Sequence, residues 1–222
     1  MTLFKYIEGG GVIGYVILAL SVVAVALAIA AALRTRRELM VPPEQARRLG
    51  ALAEARDFRK ALDHCRSESG DSYLGRIAAA GIERSLRGPL GGLEARAAME
   101  DAGEDETARL FRAIDSIAVI ASVAPLLGLL GTVQGMIGAF ETVATAATRS
   151  STYYETLATN ISIALITTFQ GLVVAIPCVM VHAFLRRRID RAASDAGRAL
   201  EPLAMALETV EGHAMTTDST HS

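Results

Sequence analysis

Three long apolar runs, almost free of charge, restrict this chain more than any other feature of its sequence. They cover 12–33, about 114–140 and about 157–185, and each is long enough to cross a lipid bilayer as a helix. A segment that crosses a bilayer must satisfy its backbone hydrogen bonds internally, so helices are the expected form. Because 51% of the residues are hydrophobic, the sequence predicts an all-α membrane protein with three transmembrane helices.

Clusters of arginine predict which ends of these runs face the cytoplasm. Arg34, Arg36 and Arg37 follow the first run, and three arginines at 186–188 follow the third. Positive residues next to membrane helices favour the cytoplasmic side. The N-terminal segment 1–11 and the connection 141–156, which has little positive charge, are therefore predicted outside. The predicted orientation is N-out and C-in.

The polar region at 34–113 predicts a helical cytoplasmic domain. Apolar residues recur at helical spacing and predict short helices at about 43–54, 57–68 and 73–87. From about residue 93 a helical pattern continues without proline into the second run, which predicts one long helix. The third run is expected to continue as a basic helix over 186–210, and the polar tail 211–222 is predicted to be disordered.

Small residues in the second run predict close contact with another helix. Glycines recur there at helical spacing, and such spacing lets a second helix backbone approach closely. Pro125 and Pro177 predict kinks, because each removes one backbone hydrogen bond. The predicted packing positions are Gly128, Gly131, Gly135 and Gly138 in the second run and Gly171 in the third.

The polar groups inside the second and third runs are hydroxyls and amides rather than charges. No ionisable residue lies between Asp115 and Glu141, and the third run contains one histidine, His182. Carboxylates inside a membrane usually mark proton relays, so such a carboxylate would have to come from another chain. The hydroxyl and amide residues are Thr132, Gln134, Asn160, Ser162, Thr167, Thr168 and Gln170.

These side chains also have a simpler interpretation. A threonine in a membrane helix usually bonds the carbonyl four residues back, which is Gly128 for Thr132 and Ala164 for Thr168. His182 precedes the arginines at 186–188 and is interpreted as an interfacial residue. Neither interpretation requires an ion pathway.

Two motifs resemble one family of membrane proteins. The segment APLLGLLGTVQGM at 124–136, followed by ALITTFQGLVVAIP at 164–177, is similar to the paired motifs of the MotA/TolQ/ExbB proton channel family. The predicted topology also resembles that of the family, and the short length is closest to the ExbB/TolQ branch.

The resemblance implies an inner-membrane subunit of a proton-driven motor in bacteria. It implies a homopentamer around two copies of a single-span partner similar to ExbD or TolR, which supplies an intramembrane Asp. The family's two channel-facing threonines correspond to Thr132 and Thr168, with Thr167 as a possible helper. The segments predicted outside would then be periplasmic. No cofactor is implied beyond the carried ion, with H+ favoured over Na+.

One residue departs from the family pattern. Relatives in the ExbB/TolQ branch commonly carry Glu at the position of Ile163, so a path here would depend on hydroxyls, amides and the partner's Asp. A non-conducting membrane scaffold that assembles through its glycine faces is the alternative. An enzyme is not favoured, because the sequence has no nucleophile–base pair, metal cluster or phosphate loop. With a net charge of −2, nucleic-acid binding is not indicated.

Overall fold

All regular secondary structure in the described part of the chain is α-helical. The structure is a computed structural model that describes residues 9–67, 69–87, 91–145 and 151–218. Within those ranges there is no strand, so the predicted all-α class is confirmed. The helices are α1 Gly11–Arg34, α2 Arg37–Met40, α3 Pro43–Glu54, α4 Phe58–Arg66, α5 Tyr73–Ser85, α6 Gly91–Thr145 and α7 Ser151–Asp218.

Three of these helices are long and apolar enough to cross a membrane. They are α1, the Glu94–Ala144 stretch of α6 and the Thr152–Thr209 stretch of α7. The prediction of three membrane-length helices is therefore confirmed. The side of the membrane on which each end lies stays a prediction.

The chain divides into two compact units, which share the long helices. One, the span unit, consists of Met1–Ala31 and Ile114–Phe184, and the other, the polar unit, consists of Ala32–Ala113 and Leu185–Ser222. The span unit thus contains the three apolar stretches. The polar unit contains α2–α5, the first part of α6 and the last part of α7.

The polar unit has an apolar core of its own. The amphipathic helices α3, α4 and α5 turn their apolar faces inward against α6 and α7, which excludes apolar surface from water. Leu49, Leu74, Ala78 and Ile82 have no measurable exposure. The core continues with Met40, Ala53, Ala61, Cys65, Tyr73, Ile77, Ala95, Met99, Ala192, Ala196, Leu200, Leu203, Ala204 and Leu207.

A buried amide joins α3 to the start of α5. Gln45 donates from Nε2 to the carbonyl of Gly70 at 2.8 Å and accepts from the hydroxyl of Ser72 at 2.5 Å. Ser72 is the N-cap of α5, since its Oγ accepts from the backbone N–H of Gly75 at 2.9 Å. The cap satisfies one of the unpaired N–H groups at the helix start, so the position of α5 depends on a side chain from α3.

Ion pairs connect the helices of the polar unit. Arg76 in α5 donates from Nε to Glu106 in α6 at 2.9 Å, and Glu106 also accepts from Arg109 at 2.9 Å. Only 11% of the Glu106 side chain is exposed, so its charge requires these partners. Arg96 in α6 lies 3.4 Å from Glu201 in α7, which links the two long helices inside this unit.

The helix ends differ from the sequence prediction in small ways. The helices predicted at 57–68 and 73–87 are shorter, Phe58–Arg66 and Tyr73–Ser85, and the four-residue α2 was not predicted. Asp57 does not begin α4 as a helical residue, because it is the N-cap and accepts from the N–H of Lys60.

The predicted disordered tail differs most from the structure. The last helix was predicted to end near 210, but α7 continues to Asp218. No proline follows position 202 to interrupt it. Predictions for residues 1–8, for the turn at 88–90, for 146–150 with Arg149 and for 219–222 lie outside the described residues.

Cys65 is expected to be almost inert toward thiol reagents while the protein is folded. The residue is 5% exposed, and burial raises the pKa of its thiol to about 11. The reactive thiolate is therefore scarce at pH 8. We expect alkylation there to be roughly 100-fold slower in the folded than in the unfolded protein, as measured by peptide mass spectrometry. Equal rates in the two states would contradict this expectation.

Candidate functional site

The glycines of α6 form one face, which packs against α7 in the span unit. A methyl carbon added at Gly128 would lie 3.0 Å from the carbonyl oxygen of Thr167, and one at Gly135 would lie 2.6 Å from that of Asn160. At Gly131 it would overlap the side chain of Thr167. The two backbones are therefore so close that this face has no room for side chains.

Gly171 of α7 makes the reciprocal contact. A methyl carbon there would lie 2.6 Å from the carbonyl oxygen of Ala124 and 3.3 Å from Cα of Gly128. Ala124 itself is fully buried. Glycines of α6 therefore pack against α7, and a glycine of α7 packs against the backbone of α6. We call this contact the glycine seam; its glycines are Gly128, Gly131, Gly135 and Gly171.

Two threonines of α7 converge on one carbonyl of α6 at the middle of the glycine seam. The hydroxyl of Thr168 lies 3.2 Å from the carbonyl oxygen of Gly128, and that of Thr167 lies 3.4 Å from the same oxygen. Each hydroxyl is also near a carbonyl of its own helix, with Thr168 3.4 Å from Ala164 and Thr167 3.0 Å from it. The simpler interpretation predicted only the bond within α7, and the contact across to α6 is additional.

Thr132 bonds differently from the simpler interpretation. Its hydroxyl donates to the carbonyl of Leu129 at 2.6 Å, three residues back, and not to Gly128, four residues back. Among the described residues no hydrogen bond joins Thr132 to Thr167 or Thr168. The structure therefore brings together two of the three predicted pathway residues and leaves the third on its own helix.

The three threonines also differ in exposure. Thr167 is fully buried in the glycine seam, whereas Thr132 and Thr168 are partly exposed. A second chain could reach the side chains of Thr132 and Thr168, while Thr167 is enclosed by its own chain. This places Thr167 in helix packing, and its predicted role as a helper in the pathway remains a prediction.

The arrangement offers hydroxyl chemistry and no charge. A threonine hydroxyl both donates and accepts hydrogen bonds, so it can contact a protonated or an ionised carboxyl group. Within the described residues no cluster of three or more His, Cys, Asp or Glu side chains could hold a metal ion. No charged side chain lies at 116–140 of α6 or at 156–181 of α7.

Two further polar contacts were not anticipated from the sequence. Gln170 of α7 places its side chain against α1, where a methyl carbon at Gly14 would lie 2.7 Å from Oε1. Asn160 donates to the hydroxyl of Thr142 at 3.4 Å, which joins α7 to α6. In the sequence, the two glycines Gly10 and Gly14 could have indicated this contact, because residues without side chains leave space for an amide beside α1.

The two prolines lie inside continuous helices. Pro125 is within α6 and Pro177 is within α7, and both helices continue past them. Pro177 lines an apolar groove of about 620 Å³ together with residues of α1. Whether the two helices bend at these prolines stays a prediction.

Membrane-length helices, a glycine seam and uncharged hydroxyl side chains define a helical membrane protein. The family model for the MotA/TolQ/ExbB proton channel family matches residues 69–196. That range is more than half of the chain and includes Thr132, Thr167, Thr168 and every residue of the glycine seam. The chain belongs to the MotA/TolQ/ExbB proton channel family. No curated protein matches it by sequence.

Proposed function

We propose that this chain is an ExbB/TolQ-like subunit of a proton-driven motor in the bacterial inner membrane. The contact of Thr168 with the carbonyl of Gly128, one helical turn before the partly exposed Thr132 on the same helix, is the main support for this proposal. These hydroxyls lie in the segment that matches a proton channel family. The stretches of α6 and α7 around them, at 116–140 and 156–181, contain no carboxylate, the group that usually carries a proton inside a membrane.

Because these stretches lack a carboxylate, the proton-carrying group is proposed to come from a second protein. A single-span partner similar to ExbD or TolR would bring an Asp into the membrane next to Thr132 and Thr168. The hydroxyls would accept from the protonated carboxyl and donate to the ionised one. Because Ile163 stands where relatives commonly have Glu, the partner's Asp would be the group that takes up the proton next to Thr132 and Thr168.

Charge and exposed surface support the proposed orientation and assembly. The arginines after the first and third runs favour N-out and C-in. Rows of apolar side chains on α6 and α7 remain exposed in the single chain, which suits contact with lipid, further copies or a partner helix. They include Leu126, Leu129, Val133, Leu165, Phe169, Leu172 and Ile176. A homopentamer around two partner chains is the assembly that the family resemblance suggests.

The ion is proposed to be H+. Hydroxyl and carbonyl oxygens could also coordinate Na+, which favours hard oxygen ligands. Proton transport is preferred because the family is a proton channel family. Output that depends on the proton gradient and persists without a sodium gradient would support this choice.

The first experiment is to measure the stoichiometry of the intact complex. The chain would be co-expressed with the proposed single-span partner, extracted in mild detergent and weighed by native mass spectrometry. Five copies with two partner chains are expected. A homo-oligomer that does not retain the partner would support the non-conducting scaffold and contradict the motor.

A further inference from the structure

A histidine and an aspartate face each other where the span unit ends. Nε2 of His182 in α7 lies 4.0 Å from Oδ1 of Asp115 in α6. The histidine side chain is 20% exposed and the aspartate side chain is 64% exposed. The imidazole is therefore largely enclosed by protein, whereas the carboxylate reaches the surroundings.

Ionisable groups are scarce in this unit, which makes the pair unusual. Along α6 the next one after Asp115 is Glu141, and along α7 the stretch between Glu155 and His182 contains only the Cys178 thiol. The segment of α1 in the same unit contributes Tyr15, near its first turn. Two groups that can both take up a proton therefore lie 4.0 Å apart in a unit with few other ionisable groups.

The nearest arginine along α7, Arg186, has a partner within the polar unit. Arg186 follows His182 by one helical turn in the sequence. Its guanidinium lies over the ring of Phe111, 5.4 Å from the ring centre, which is a favourable cation–π contact. Asp115 is the only acidic group within ion-pair distance of His182 among the described residues.

His182 lies on the side of α7 that also bears Thr168. The two residues are about four helical turns apart, roughly 21 Å along the axis. The residues between them on this side, Gly171, Ala175 and Cys178, are buried. Thr168 and His182 therefore lie on the same face of α7, with packed side chains between them.

We propose that His182 and Asp115 form the proton-release site of the motor, the last protein groups to hold the carried proton before it enters cytoplasmic water. The proposal rests on the proposed function and its orientation. Histidine suits this place because its ring nitrogens can both accept and donate a proton. The nearby carboxylate can pair with the imidazolium that forms.

Proton release at this pair is a transfer of one proton from water to His182 and back to water. A hydronium ion that has passed the partner's carboxyl gives its proton to the lone pair of a ring nitrogen of His182, which forms one N–H bond and leaves water. The imidazolium then rests beside the Asp115 carboxylate. That N–H bond breaks when cytoplasmic water takes the proton, and His182 returns to its neutral form.

The test is proton flux through the complete complex with its partner, in vesicles where it has one known orientation. The pH on the His182 side is varied between about 5 and 8. We expect wild-type flux to vary with this pH, and His182→Gln to lose the variation and to conduct at least about tenfold more slowly. Imidazole added on that side is expected to restore part of the flux to His182→Gln.

If His182→Gln assembles poorly, the variant Asp115→Asn tests the same site. Asp115→Asn is expected to reduce flux in the same direction by a smaller factor. The double variant should be no slower than His182→Gln alone, because residues that act as one unit are not additive. His64→Gln makes the same exchange in the polar unit and should leave flux and its pH profile unchanged.

Two results would overturn the proposal while leaving the motor intact. One is a His182→Gln complex with wild-type flux and pH profile. The other is a slower complex whose pH profile is unchanged and which imidazole does not rescue, because that is the result of a merely structural role. A wild-type complex that conducts no protons would instead overturn the proposed function and this inference with it.

Discussion

Thr168→Val is expected to abolish proton-driven output while the complex still assembles. Valine has nearly the shape of threonine but cannot donate to the carbonyl of Gly128, now 3.2 Å away, or contact a partner's carboxyl. We expect output to fall by on the order of 100-fold, as when one preorganised hydrogen-bond donor is removed from a reacting centre. Growth or transport that depends on the motor measures the output, and native mass spectrometry measures the assembly.

The neighbouring threonine supplies a matched control. Thr167→Val makes the same chemical change one residue earlier, at a side chain that is fully buried in the glycine seam. Because Thr167 bonds to carbonyls of Ile163 and Ala164 at 3.1 and 3.0 Å, we expect a loss of about 1 kcal/mol in stability and retained output. Normal output in both Thr168→Val and Thr132→Val would contradict the proposed pathway.

Gly171→Ala is expected to destabilise the span unit, and Gly171→Val more so. The added carbon would lie 2.6 Å from the carbonyl oxygen of Ala124, which belongs to the backbone of α6 and cannot rotate away. Overpacking of this kind costs about 1–3 kcal/mol, more than the roughly 1 kcal/mol that alanine gains over glycine in a helix. The measurement is the melting temperature of the purified complex in detergent.

Gly197 is the matched control for this prediction. It lies in the same helix, but no atom lies within 4 Å of an added carbon at that position. Gly197→Ala should therefore leave the melting temperature unchanged or raise it, because only the helix preference acts. A lower melting temperature for Gly197→Ala than for Gly171→Ala would contradict the glycine seam as the source of the effect.

The sequence by itself determined the three apolar runs and the helical class. Run length and the absence of charge depend only on residues that are close in sequence, and a bilayer leaves helices as the form for such runs. The spacing of the glycines from Gly128 to Gly138 likewise indicated a close helix contact before the partner helix was known. The family motifs at 124–136 and 164–177 could also be recognised from the sequence, because each is a continuous stretch of residues.

Only the tertiary structure decided which groups meet across the helices. Whether Thr168 contacts Gly128, whether Gln170 turns toward α1 and whether His182 faces Asp115 all depend on how far each helix is rotated and shifted along its neighbour. That rotation and shift result from packing between residues far apart in sequence. For this reason His182 was interpreted as a simple interfacial residue from the sequence, whereas the structure places a carboxylate 4.0 Å from its ring.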